Sequence, residues 1–191
     1  MRFYFWVAAV AVAAVATGCL TKNITNTARS SEEQLLCTRA VDLALEKVTF
    51  IQVSDRKVFV DNKLLNSVDK EYVLGALRQK LALSGGILID DKKESDIVVE
   101  VFSGCVGTSY TTWLAGIPKS GLPIPLAGTL TIPEIAFYKR ERQGGSGKIG
   151  ITMLDNKTGK SVLDVPLLFG EAYYNRFIIM FIPFSTSNTF E

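Results

Sequence analysis

Apolar residues recur at helical spacing in two stretches before residue 84 and at strand spacing in most stretches after it, and this change of period is what most limits the fold. In the first helical stretch Leu36, Ala40 and Leu43 share a stripe, with Val41, Leu45 and Val48 beside it. Ser30 offers an N-cap, Glu33 completes a capping box and Glu32 faces the positive end of the helix dipole, so a helix is expected over 31–47. The second stretch begins after Ser67, with Asp69 and Glu71 in its first turn and Val73, Leu77 and Leu81 on one stripe. It ends at Ser84-Gly85-Gly86, where a glycine can take the left-handed conformation of a C-cap.

Strand signals fill most of the rest. Residues 49–53 and 57–60 are short extended runs separated by the turn-like Ser54-Asp55-Arg56, and 87–89 reads as a buried strand. Within 96–102, Ile97, Val99 and Val101 share a face. Residues 135–138 form another run, the charged and glycine-rich 139–147 reads as a loop, and Ile149, Ile151 and Met153 then alternate. Asp155-Asn156-Lys157-Thr158-Gly159-Lys160 carries a hairpin signal, with 162–168 as the returning strand. The aromatic and aliphatic run 173–184 is long enough for a strand and too short to span a bilayer as a helix. The expectation is one α+β domain over 31–191, with two helices packed on one face of a mixed, mostly antiparallel sheet.

One segment differs in kind. Residues 104–133 hold Pro118, Pro123, Pro125 and Pro133, several glycines and a single charge, Lys119. They read as a long apolar Gly/Pro-rich loop, and loops of that length are usually functional or disordered. Their aromatic and aliphatic content argues for order against something. Tyr110, Trp113, Leu114, Ile117, Leu122 and Ile124 are therefore the candidate interface residues. Three placements compete: folding back over the domain's own sheet, contact with another subunit or protein, and dipping into a bilayer. Tyr110 and Trp113 suit the last two, because their polar tips can stay wet at an interface.

The amino terminus gives an address. Arg2 precedes an aromatic cluster and an Ala/Val run that ends Thr17-Gly18-Cys19, which is the layout of a secretory signal over residues 1–18. Its apolar core is short of the ~20 residues that a spanning helix needs. Ala16-Thr17-Gly18-Cys19 resembles the lipobox of bacterial lipoproteins, departing from it at the first position, where Leu is usual. That resemblance implies lipid attachment at Cys19, and Leu20 after it implies the outer membrane with its periplasmic face. Ordinary secretion and an uncleaved anchor are the competing readings. Polar residues 19–30 then form a tether. Processing leaves roughly 173 residues, enough chain for a core.

Against 21 Lys and Arg stand 19 Asp and Glu, and no basic block is present, so nucleic acid is not an expected partner. The chain has no histidine, which removes Ser-His-Asp and Cys-His catalysis and His-based zinc sites. Glu32-Glu33 and Asp90-Asp91 are pairs in sequence only, since adjacent side chains diverge on a helix or strand. Thr158-Gly159-Lys160-Ser161 imitates the end of a phosphate-binding loop, but Leu154 stands where that loop needs glycine. Gly144-Gly145-Ser146-Gly147 has no helix signal after it and reads as a flexible connection. Cys37 and Cys105 could pair in an oxidising compartment or act as buried thiols. No enzyme, metal or cofactor is expected.

Asn26-Thr27-Ala28-Arg29-Ser30 with Glu33-Gln34-Leu35-Leu36, Arg56 to Asp61, the helix around 72–81, 96–101 and Ile132-Pro133-Glu134-Ile135-Ala136-Phe137-Tyr138-Lys139-Arg140 together resemble an uncharacterised family of bacterial lipoproteins of unknown function. The resemblance covers most of 26–164 and implies no catalytic residue or ligand. A looser likeness, in element order alone, is to the periplasmic lipoproteins grouped with the curli secretion channel and with the activators of cell-wall synthases, which form rings or dock on enzymes. The functional expectation is a membrane-anchored, non-enzymatic scaffold or interaction module, held by the lipid on Cys19 and meeting a protein partner or further copies of itself. The alternative is a carrier of an apolar or lipid-like ligand.

Overall fold

The computed structural model describes residues 29–124, 128–163 and 165–189, without the side chains of 122–124, 128 and 130. The signal segment 1–18, Cys19 and most of the tether lie outside the described residues. The chain is α+β: two α-helices and a strand-rich mixed sheet. The sheet has seven strands, β1 (Lys57–Asp61), β2 (Ile87–Leu88), β3 (Ile97–Ile117), β6 (Ile135–Asp155), β7 (Ser161–Leu163), β8 (Leu168–Ile179) and β9 (Ile182–Ser187). Their order is β2-β1-β3-β6-β8-β9, with β7 against β6. β1 is parallel to both β2 and β3, and the remaining pairs are antiparallel. A separate hairpin joins β4 (Ser120–Ile124) to β5 (Gly128–Ile132).

Helix α1 (Ser31–Leu45) buries Leu36, Ala40, Val41 and Leu45 of the apolar stripe read from the sequence, together with Cys37 and Ala44, while Leu43 is only half-buried. Helix α2 (Lys70–Leu83) buries Val73, Leu77 and Leu81. It ends in a Schellman motif: Gly85 sits at φ 86°, Gly86 N–H donates to Leu81 C=O at 3.0 Å and Gly85 N–H to Ala82 C=O at 3.0 Å. Both helices share a core with Val58, with Ile97, Val99 and Val101 of β3, and with Ile149, Ile151 and Met153 of β6. The register pairs Val99 with Met153 and Val101 with Ile151, so these residues lie on one face. Two contacts tie the helices to each other. Tyr72 donates to both Asp42 carboxylate oxygens at 2.9 and 3.0 Å, and Lys80 Nζ donates to the Leu45 carbonyl at the end of α1.

Several expectations change. Residues 51–53 form a 3-10 turn, because Phe50 and Val53, three apart, both turn into the core, whereas a strand would alternate. The expected loop at 139–147 is continuous strand, and Gly145 and Gly147 in it lie against α1, as Gly170 of β8 does. A Cβ on Gly145 would stand 2.3 Å from the Leu36 carbonyl oxygen, and one on Gly170 would stand 1.9 Å from that of Ala40. The helix backbone lies directly on the sheet at these points. The expected long loop at 104–133 is instead the outer part of β3 through Ile117, followed by β4 and β5. The run 173–184 is likewise a hairpin, bending at Met180-Phe181. Cys37 is buried and Cys105 exposed, and no disulfide joins them. No described helix is long and apolar enough to cross a membrane.

Candidate interaction surface

β3 and β6 each run for 21 residues, about 70 Å at the rise of an extended chain. Helix α1 reaches along the sheet as far as Ala172 and Tyr174, which Leu36 and Ala40 contact. Beyond that point β3, β6, β8 and β9 continue as a four-stranded antiparallel arm whose residues are exposed or half-buried on both faces, apart from Ala136 and Asn175.

Register places one row of side chains across all four strands: Trp113 opposite Arg140, Arg140 opposite Phe177, and Phe177 opposite Phe184. The Arg140 guanidinium lies 5.5 Å from the Phe177 ring centroid, and Phe177 stacks on Phe184 at 4.9 Å and 11°. Arg140 also donates to Asn175 Oδ1 at 3.3 Å, while its Nε is buried without a hydrogen-bond partner. One row nearer the body, Arg142 lies over Tyr173 at 5.6 Å and bridges to Glu171. Ser109, Thr111, Trp113, Arg140, Arg142 and Glu171 line an open groove of about 510 Å³ on this face. On the other face Lys139 is held between Glu134 at 2.8 Å and Glu141 at 3.0 Å. Those two carboxylates, by their hydrogen bonds, raise the Lys139 pKa.

The outer end of the arm is apolar. Trp113 is 67% exposed, Phe137 58%, Met180 70% and Phe181 67%, with Ile117, Ile179 and Ile182 also exposed. Ile179 pairs with Ile182, so Met180 and Phe181 are the two loop residues of the β8–β9 hairpin, at φ 45° and 71°. Positive φ at both positions is the mark of a turn that Asn-Gly normally supplies. A methionine and a phenylalanine here are disfavoured twice, by backbone conformation and by exposure. Phe137 meets Phe181 edge to face at 6.2 Å and joins the turn to β6.

The chain belongs to the DUF6655 family, a family of unknown function. The match runs over residues 14–190, taking in Cys19, both helices and the arm. No curated protein matches this DUF6655 chain. Of its sequence-derived interface residues, Tyr110, Trp113 and Ile117 are exposed on β3 and Leu114 is half-buried there. Leu122 and Ile124 fall on β4, opposite Leu130 and Gly128 in register. Cys19 lies outside the described residues. Sequence reasoning missed Arg140, Arg142, Phe137 and Glu171. The apolar and aromatic run 135–138 reads as a strand, but nothing in its pattern carries that strand on through 139–142. The dense charges of 139–142 followed by glycines read instead as a loop. Among the described residues no three His, Cys, Asp or Glu side chains gather as a metal site would need.

Proposed function

We propose that this protein is an envelope lipoprotein, anchored by a lipid on Cys19 and facing the periplasm from the outer membrane, that works without catalysis as an interaction module. The arm is its contact surface. One observation carries the reading: ordered strands extend past the helices and expose Trp113, Phe137, Met180 and Phe181 at their end. Apolar surface of this kind, rimmed here by Lys139, Arg140 and Arg176, marks a contact with another molecule. The left-handed Met180-Phe181 turn adds to it, since strain at an exposed turn points to a use for the residues held there. Five of the six residues lining the groove are polar or charged, which suits water or a polar partner and gives no support to carriage of an apolar ligand.

Photocrosslinking in intact cells tests the reading. A photoreactive residue at Phe181 or Trp113 should give discrete adducts, whereas one at Val68, which is 82% exposed on the body, should give none. Equal labelling from both places, or none from the arm, would overturn it. Cys19→Ser should move the protein out of the membrane fraction; full retention would contradict the anchor.

A further inference from the structure

The arm has an unprotected edge. β3 pairs with β6 along its length, but its other edge meets β1 only through residues 97–100. Among the described residues nothing pairs with that edge beyond Glu100, and Ser103 closes the covered part by donating to the Asn66 carbonyl at 3.0 Å. Register shifts fall at Ser103/Cys105 and Ala115/Gly116, leaving 105–115 as eleven regular residues. Such an edge is a template for another strand, and folded proteins blunt theirs with charge, proline, bulges or shortness. β2 is two residues long, and β9 is six with Pro183 within it. Residues 105–115 contain neither charge nor proline and are rich in threonine and aromatic residues, which favour strands.

The sequence of this edge reads alike from either end about Tyr110. Antiparallel pairing with an identical strand centred there sets Ser109 against Thr111, Thr108 against Thr112, Gly107 against Trp113, Val106 against Leu114 and Cys105 against Ala115. Hydroxyl meets hydroxyl, aliphatic meets aliphatic, and the tryptophan ring covers a glycine, each a favourable cross-strand pair. No charge meets its like. We infer that the occupant of this edge is a second copy of the chain, joined through an antiparallel β3–β3 contact with two-fold symmetry at Tyr110. The contact is isologous, so it closes at a dimer. About eleven residues from each copy form a ladder with roughly one hydrogen bond per residue pair. It rests on the reading of the arm as a contact surface and names the partner at its edge.

The test uses the full-length chain in the membranes of the cells that make it, in a Cys105→Ser background. Tyr110→Cys sits on the two-fold axis, so a short bis-maleimide should link it to itself and give a species of twice the mass. Adding Thr112→Lys puts a charge into the edge twice per dimer and should lower the linked fraction by about tenfold, with the melting temperature of the extracted protein showing that it remains folded. Unlinked monomer, or linkage that Thr112→Lys leaves unchanged, would overturn the inference. So would linkage of Tyr110→Cys only to Ser185→Cys, which would mean head-to-tail assembly through β9. An adduct of a different protein at position 110 would overturn the second copy as partner while leaving the interaction reading standing.

Discussion

Single residues decide how closely the helix lies on the sheet and how the two helices hold each other. A methyl group on Gly170 would meet the Ala40 carbonyl at 1.9 Å and the Ala44 nitrogen at 2.6 Å, both backbone atoms that cannot step aside. Gly170→Ala should therefore cost about 2 kcal/mol of stability by denaturant unfolding. Gly75 on α2 has nothing within 4 Å of such a methyl, so Gly75→Ala should instead gain about 0.5–1 kcal/mol. Tyr72 gives a pH signature. Burial first, then its hydrogen bond to Asp42 and the charge of that carboxylate, push its pKa up to about 12 from 10.0. The folded state thus keeps the phenol proton where the unfolded chain has lost it. The contribution is whole below pH 10 and is lost as pH rises from 10 to 12. Tyr72→Phe should cost about 1 kcal/mol at neutral pH and flatten that alkaline fall, as thermal unfolding across the range would show.

At the scale of elements, the β8–β9 hairpin is the part most at odds with its own stability. Met180→Asn combined with Phe181→Gly puts into the turn the residues its positive φ angles favour, and should stabilise the purified protein by about 1 kcal/mol or more. The same change removes two exposed apolar side chains, so crosslinking from Trp113 in cells should fall. A stabilised variant that crosslinks as before would place the contact elsewhere on the arm. The helices and the β6–β7 turn were legible in the sequence because their signals are local: the stripes of α1 and α2, Ser84-Gly85-Gly86, and Asp155, whose carboxylate accepts from Lys157 and Thr158 N–H at 3.1 and 2.9 Å. The arm was not. Gly145, Gly147 and Gly170 look like loop glycines until the helix that lies on them is known. Glycine and threonine in 104–112 lack the apolar alternation by which a half-buried strand is recognised, because that part of β3 is largely exposed. Trp113 and Ile117 stand out as interface candidates from composition, but Arg140, which register sets opposite Trp113, and Phe177, which it sets opposite Arg140, come from strands distant in sequence.

For the whole molecule, the division is between a body that is packed and an arm that is offered. The body keeps its apolar residues between two helices and one face of the sheet. The arm carries Trp113, Phe137 and Phe181 into solvent and leaves the edge of β3 without a partner among the described residues. An ordered arm of this length with an uncharged edge makes sense as a surface that is covered in the cell. Hydrogen exchange, read residue by residue over 105–115 in the full-length chain extracted with its anchor, tests this most directly. If the edge is covered, all of these amides exchange slowly, because those facing away from β6 are bonded to another strand. If alternate amides exchange at the rate of an open edge, the β3 edge is not covered and no second strand pairs with it.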